Sequence, residues 1–373
     1  MHSPSQNHSS DSGDAPLDLA AYGWDAERER EFAEYRAAGL VPVRVVGVDR
    51  GRCDAVGETG PLRASTAAVY SPDPVWAPCT GDWAALRPEP GPGPDGLPEL
   101  AALLPRRTAV VRSSASRDSH GQVLAANVDT VVLAVSLAEP LDAGRLERLL
   151  ALAWDSGAQP VLALTKADVA ADPAAALTEA AALANGVDAV LTSTVTGEGL
   201  EVLTALLTGT VVLLGRSGTG KSTLANALLG EERLATGAVR AQDGKGRHTT
   251  VRRELLPLPG GGVLIDTPGL RGVGLHDAAD GLERVFAEIE ELAESCRFGD
   301  CAHVSEPDCA VRAAIDSGDL PARRLDSYRR LQRENRWAAA RDDARLRAEL
   351  ASGRKEITRF QRALYRARGH RGR

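Results

Sequence analysis

Thr210-Val211-Val212-Leu213-Leu214-Gly215-Arg216-Ser217-Gly218-Thr219-Gly220-Lys221-Ser222-Thr223 is the stretch that decides the fold. An apolar run enters Gly-x4-Gly-Lys-Ser, and a helical pattern over 223–229 follows it. Strand, glycine loop and helix, in that order, are what a phosphate-binding P-loop requires. Glycines let successive backbone N–H groups close around phosphate oxygens, and the helix N-terminus adds a favourable dipole. Gly215, Arg216, Ser217, Gly218, Thr219 and Gly220 form the expected cradle, and Thr223 carries it into the helix. Lys221 is expected to neutralise β/γ-phosphate charge, and so to act in catalysis. The Ser222 hydroxyl is expected to ligate Mg²⁺.

Further motifs sit at the ends of other apolar runs. Asp266-Thr267-Pro268-Gly269 follows the run 263–265, which places a carboxylate at a strand end for a second Mg²⁺ contact. The Gly269 amide can then approach the γ-phosphate. Thr165-Lys166-Ala167-Asp168 follows 161–164, and Ser193-Thr194 follows 189–191. Asp168 can accept from guanine N1–H and the exocyclic amine together, a pair that adenine does not offer. The Lys166 stem can lie along the base, and the Ser193 loop can offer an amide to guanine O6. Guanine is therefore the expected base. The base-reading residues precede Lys221 and Asp266 closes the set, which is a circular permutation of the usual order. Such permutation is compatible with an α/β domain whose termini lie close together. It also sends the γ-phosphate-sensing loop almost directly into the C-terminal region.

Composition sets the outer limits. The 373 residues suggest two or three domains, and aromatics at 4% imply an aliphatic core. The longest apolar runs last about five residues against the roughly 20 that a membrane span needs. The N-terminal Met1-His2-Ser3-Pro4 stretch has no apolar signal core, so a cytoplasmic protein without membrane contact is expected. The formal charge of −7 argues against a chain that binds polyanions over its whole surface. Charge is uneven, however: residues 323–373 carry 17 Lys/Arg against 6 Asp/Glu, a basic tail on an acidic body. That asymmetry points to a polyanionic partner.

The expected organisation has five parts. Residues 1–40 form an extension, disordered to about Asp18 and helical over 25–38. Residues 41–120 hold short β-prone runs at 41–48, 54–56, 82–86 and 108–112, broken by a Pro/Gly loop at 88–98, and suggest a small barrel. Residues 121–281 are α/β, with continuous apolar runs suited to parallel strands buried on both faces. Residues 282–336 are helical and contain Cys296-x4-Cys301-x-His303-x5-Cys309. Three thiolates and one imidazole favour a tetrahedral, closed and therefore structural Zn²⁺ site. Cys53 and Cys79 read as packing or turn residues. Residues 337–373 form a basic C-terminal extension.

With these motifs in place, the chain resembles the RsgA/YjeQ family of small-ribosomal-subunit biogenesis GTPases. The resemblance spans about 41–334. It includes the permuted order, Gly81-Asp82-Trp83-Ala84-Ala85-Leu86, Leu124-Ala125-Ala126-Asn127-Val128-Asp129, Gly246-Arg247-His248-Thr249-Thr250 and the Cys/His knot. It implies an OB-fold barrel, a permuted P-loop GTPase domain and a helical zinc-binding domain. It also implies GTP hydrolysis to GDP stimulated by the 30S subunit, and contact with 16S rRNA. His248 resembles the family's candidate catalytic histidine, and Thr250, or else Thr249, is expected to reach Mg²⁺ and γ-phosphate. Leu270 stands where many small GTPases place a water-orienting Gln. Thr165 stands where this class usually carries Asn, and so lacks the amide that reaches guanine N7 and ties neighbouring loops. Arg44, Arg50, Arg52, Arg63, Arg106, Arg107 and Arg112 are candidate rRNA phosphate contacts of an aromatic-poor barrel, near Tyr70, Trp76 and Trp83. A monomer is expected. Two alternatives stay open at this point, an RNA-binding module gated by nucleotide with incidental hydrolysis, and a P-loop ATPase or kinase. The second leaves Asp168 and Ser193 without a task.

Overall fold

The computed structural model describes residues 17–342 apart from 92, 94, 114–120, 235–253 and 267–277. The expectations for His248, Thr249, Thr250, Gly269, Leu270, the first sixteen residues and the tail beyond 342 lie outside the described residues.

A helix, α1 (Ala26–Ala37), precedes a closed five-stranded barrel. Its strands are β1 (Val41–Asp49), β2 (Arg52–Gly57), β3 (Gly60–Ser65), β4 (Trp83–Arg87) and β5 (Glu99–Leu103), in the order β1-β2-β3-β5-β4. That order is the expected OB-type arrangement. Two strands differ from expectation. The run 108–112 does not close the barrel, because β6 (Ala109–Ser113) pairs instead with β7 (Gly121–Ala126) in a separate two-stranded sheet. Closure comes from β3 and β5, whose short, Gly-, Pro- and Ala-containing sequences carry little β signal of their own. The chain is already ordered at Leu17, whose N–H donates to Glu58 O at 2.7 Å. The Asp25 carboxylate caps α1 by accepting from Arg28 N at 2.7 Å. That helix buries Phe32 beside Trp24 and Trp83, with Trp24 and Trp83 meeting edge to face at 4.8 Å. Trp83 is therefore core and is not available to stack on RNA.

The α/β unit is a six-stranded sheet of order β10-β9-β8-β11-β13-β12. Its elements are β8 (Thr130–Ser136), α2 (Ala143–Asp155), β9 (Gln159–Thr165), α3 (Pro173–Leu183), β10 (Asp188–Thr192), α4 (Leu200–Leu206), β11 (Thr210–Leu214), α5 (Lys221–Leu229), β12 (Glu254–Pro257) and β13 (Val263–Asp266). The five apolar runs are β8, β9, β10, β11 and β13, all parallel. The edge strand β12, antiparallel to β13, has no counterpart among the expected strands. Because β8 runs outward to β9 and β10 while β11 returns on its other side, the sheet reverses direction between β8 and β11. Ligands in open α/β sheets bind at the carboxyl ends of strands beside such a reversal.

Beyond the sheet come α6 (Ala279–Val285), α7 (Ala287–Glu294), α8 (Ala310–Ser317) and the long α9 (Ala322–Asp342). They share the main core with α2 through Leu282, Phe286, Val311 and Leu331.

Candidate functional site

The phosphate loop leaves β11 at Gly215. A Cβ there would stand 2.4 Å from Ala134 O on neighbouring β8, so only glycine allows the strands this approach. The loop turns into α5 through Gly220, at φ +87°, which leaves the helix's first amides pointing out of the turn. Lys221 Nζ reaches back over the loop to Gly215 O at 2.8 Å and Arg216 O at 2.7 Å. Thr219 Oγ1 donates to Arg216 O at 2.9 Å and is mostly buried, whereas Ser217 and Gly218 are exposed. Ser222 and Thr223 occupy the first turn of α5. Asp266 ends β13, the parallel neighbour of β11, so it stands one strand away from the loop.

The base corner lies two strands across the sheet from β11. Lys166, held in the left-handed region at φ 60°, extends its ammonium to Gly218 O at 3.0 Å. Its stem therefore bridges the space between the 165–168 loop and the phosphate loop. Asp168 is exposed, and its Oδ1 accepts from Ser193 Oγ at 2.6 Å. Ser193 Oγ in turn accepts from Val195 N and Thr196 N at 3.2 Å each. Ser193 thus fixes a carboxylate through its side chain, a task different from the backbone contact expected of its loop. Thr165 lacks the side-chain amide expected to tie neighbouring loops. Its hydroxyl does tie neighbouring loops, donating to Thr219 O at 2.6 Å. The sequence carries no signal for this bond, since 54 residues separate its partners.

A cleft of about 170 Å³ adjoins the phosphate loop, lined among others by Val135, Glu139, Pro140, Lys166, Arg216 and Thr219. Arg216 turns to its rim and pairs with Glu139 at 3.4 Å, both side chains being exposed. That residue therefore contributes backbone, and not side chain, to the cradle.

Cys296, Cys301, His303 and Cys309 bring their ligand atoms within 4.8 Å of one another. Cys296 Sγ lies 3.8 Å from Cys309 Sγ and 3.7 Å from His303 Nδ1, and Cys309 Sγ lies 3.4 Å from His303 Nδ1. Tetrahedral ligands with metal–sulfur bonds of about 2.3 Å have edges near 3.8 Å, so the cluster fits one metal ion. The knot is pinned by Glu306, whose carboxylate accepts from the amides of Ala302, Val304 and Ser305 at 2.7–3.0 Å. Nothing in the ligand spacing announces this residue.

Most of the arginines proposed for rRNA contact have other work. Arg44 is buried, donating to Tyr22 O, Asn127 O and Thr210 Oγ1 at 3.0–3.2 Å with its guanidinium over Trp83. Arg106 grips both oxygens of buried Asp82 at 2.7 and 2.8 Å. Arg107 pairs with Asp25, Arg63 with Asp54, Arg52 with Asp95, and Arg112 with Gln122. Arg50 remains exposed in the β1–β2 turn, and Tyr70 and Trp76 remain exposed before β4. Cationic surface gathers instead along α9. There Arg323, Arg330 and Arg333 line a cleft against Gly144 of α2, and Arg329, Arg333 and Arg336 line another against the metal knot.

Residues 103–276 match the family model described as RsgA GTPase. The small ribosomal subunit biogenesis GTPase RsgA of Streptomyces coelicolor is 58% identical over 345 residues, covering 91% of this chain and 92% of that protein. Its counterpart from Streptomyces avermitilis is 58% identical over 336 residues, covering 89% and 90%. Among solved structures, YjeQ from Thermotoga maritima superposes with a TM-score of 0.55 at 25% identity over 78% of this chain and 97% of that one. YloQ, described as a circularly permuted GTPase, shares the fold with a TM-score of 0.54 at 22% identity, over 79% and 94%.

Proposed function

Because the chain belongs to the RsgA family of small ribosomal subunit biogenesis GTPases, we propose that it hydrolyses GTP at the β8–β11 reversal while seated on the 30S subunit. The observation that carries the reading is convergence. The Lys221 loop, the Thr165–Asp168 loop and Ser193 come from three separate segments and are joined by direct hydrogen bonds.

Asp168 reads the guanine Watson–Crick edge, held in place by Ser193. Lys166 spans from the base to the phosphate loop. Amides of 215–220 and the Lys221 ammonium hold the β- and γ-phosphates. Mg²⁺ would screen phosphate charge, and Ser222, Asp266 and Thr250 are the residues that would hold it. Water attacks the γ-phosphorus and the bond to the β-phosphate oxygen breaks, leaving GDP and phosphate. Phosphoryl transfer of this kind depends on positioning and charge stabilisation. Leu270 has no group to orient that water, so His248 takes the role. Cys296, Cys301, His303 and Cys309 would hold one Zn²⁺, with no open position for chemistry. The α9 arginines supply phosphate contacts to 16S rRNA, more so than the barrel arginines, most of which already have partners within the chain. The protein acts as a cytoplasmic monomer; among the described residues no helix is long and apolar enough to cross a membrane.

The test is GTP turnover titrated with purified small and large subunits. Small subunits should raise turnover by at least about tenfold, a barrier change of ~1.4 kcal/mol. Equal effects of both subunits, or none, would remove the ribosomal part of the reading.

A further inference from the structure

We propose that Thr165 leaves this site indifferent to guanine N7, so that the base is recognised by its Watson–Crick edge alone. The inference rests on the reading of Asp168 as the guanine contact.

Thr165 is the last residue of β9 and is buried. Its hydroxyl carries one proton, and a neutral hydroxyl is a single donor. That proton goes to Thr219 O at 2.6 Å, with Val135 O at 3.3 Å as a second acceptor beside it. Oγ1 thus sits between two carbonyl oxygens. Guanine N7 is a third acceptor, and a hydroxyl already committed has nothing to give it. The rest of the side-chain tip is a methyl group. The other two side-chain donors of the corner are also directed elsewhere, Lys166 Nζ to Gly218 O and Ser193 Oγ to Asp168 Oδ1. An amide at this position would differ in number, since its two N–H groups can serve Thr219 O and N7 at once. The hydroxyl therefore keeps the tie between loops and gives up the second contact.

The test compares affinity for GTP, 7-deaza-GTP and ATP in the full-length protein. The 7-deaza nucleotide replaces N7 by C–H and leaves the Watson–Crick edge unchanged. Wild type should bind GTP and 7-deaza-GTP within about twofold of each other, both well above ATP. Thr165→Asn should acquire a preference for GTP over 7-deaza-GTP of roughly three- to tenfold, the size of one net hydrogen bond. Thr165→Ala should weaken both nucleotides equally, because it removes only the tie, and Thr165→Ser should restore both. A wild type that rejects 7-deaza-GTP fivefold or more while preferring GTP to ATP overturns the proposal and leaves the Asp168 reading intact. Equal binding of ATP and GTP overturns both. A Thr165→Asn protein that still ignores N7 would show that position 165 is not where N7 is read.

Discussion

A carboxylate that must accept from two guanine donors discriminates only if it is held still. Asp168 is exposed, and what holds it is one 2.6 Å bond from Ser193, itself gripped by two loop amides. Two substitutions separate the roles. Asp168→Asn exchanges an acceptor for a donor and should turn preference from GTP to xanthosine triphosphate, read by competition binding. Unchanged GTP preference would mean that Asp168 does not face the base. Ser193→Ala should keep the preference but weaken GTP by roughly three- to tenfold, the size of one net hydrogen bond, since the carboxylate it holds is exposed to water. Full affinity in that variant would deny Ser193 its positioning role. Lys221 and Asp168 could be singled out from the sequence because their motifs are local. The bonds from Thr165 to Thr219 and from Arg44 to Thr210 could not be, because 54 and 166 residues separate their partners. Arg44 shows the limit of reading charge alone. An arginine in a β-strand signals exposure by composition, yet this one is enclosed at the joint by Tyr22, Trp83 of β4, Asn127 and Thr210 of β11, and burial pulls its basicity down to about 9. Even so, its guanidinium stays charged at neutral pH.

At the scale of elements, legibility followed burial on both faces. The central strands β8, β9 and β11 are continuous apolar runs because helices cover them on each side. The barrel strand β5, Glu99-Leu100-Ala101-Ala102-Leu103, has the composition of a helix. It becomes a strand through pairing with β4 and closure onto β3, tertiary effects that propensity does not contain. The metal knot was legible as a Cys/His cluster, whereas its support by Glu306 was not. Cys301→Ser should abolish stoichiometric zinc and loosen residues 296–309, measured by metal analysis and hydrogen exchange; retained zinc would refute its ligand role. Glu306→Ala should leave the four ligands present yet lower metal affinity by at least tenfold, the usual order for a group that orients ligands. The cap of α1 adds a pH prediction. The Arg107 guanidinium, aided by Arg28 N–H, holds the Asp25 carboxyl well below 3.8, at about 2. A carboxyl depressed in the folded state stabilises it above the unfolded value and loses that contribution as pH falls. Docking of α1 should therefore weaken between about pH 4 and pH 2, seen as faster amide exchange over 26–37. Asp25→Asn should remove that step, and an unchanged step in the variant would assign it to another group.

On the scale of the whole molecule, the α/β unit is gripped from two sides. On one side Asn127, at φ 53°, accepts from Arg28 and from Arg107 N–H through Oδ1, donates to Gly81 O, and offers its own carbonyl to Arg44. Helix α1, the barrel and β11 meet there, which accounts for Gly81-Asp82-Trp83 and Asn127-Val128-Asp129 as a matched pair of motifs. On the other side α9 grips α2. Glu147 of α2 is fully buried and accepts from Arg324 at 2.8 Å, from Arg323 at 3.2 Å and from Ser327. Further along α9 Glu334 pairs with Arg148, and one residue beyond it the Asn335 Oδ1 accepts from Ala278 N at 2.8 Å. Permutation gives this bond its meaning, because Ala278 opens the helical region just downstream of Asp266. The metal-bearing region is thereby fastened to both the α2 face and Ala278. Removing one partner of a buried charge pair is costly because the other is left uncompensated. Glu147→Ala should therefore speed hydrogen exchange across 322–342 while leaving GTP affinity within about twofold, since the partners of Glu147 are Arg323, Arg324 and Ser327 and not the groups of the nucleotide site. If nucleotide state reaches the metal-bearing region through this clamp, the same variant should also lose most of the small-subunit stimulation proposed above. Loss of exchange protection with full stimulation retained would place the route of coupling elsewhere, through the barrel joint at Asn127.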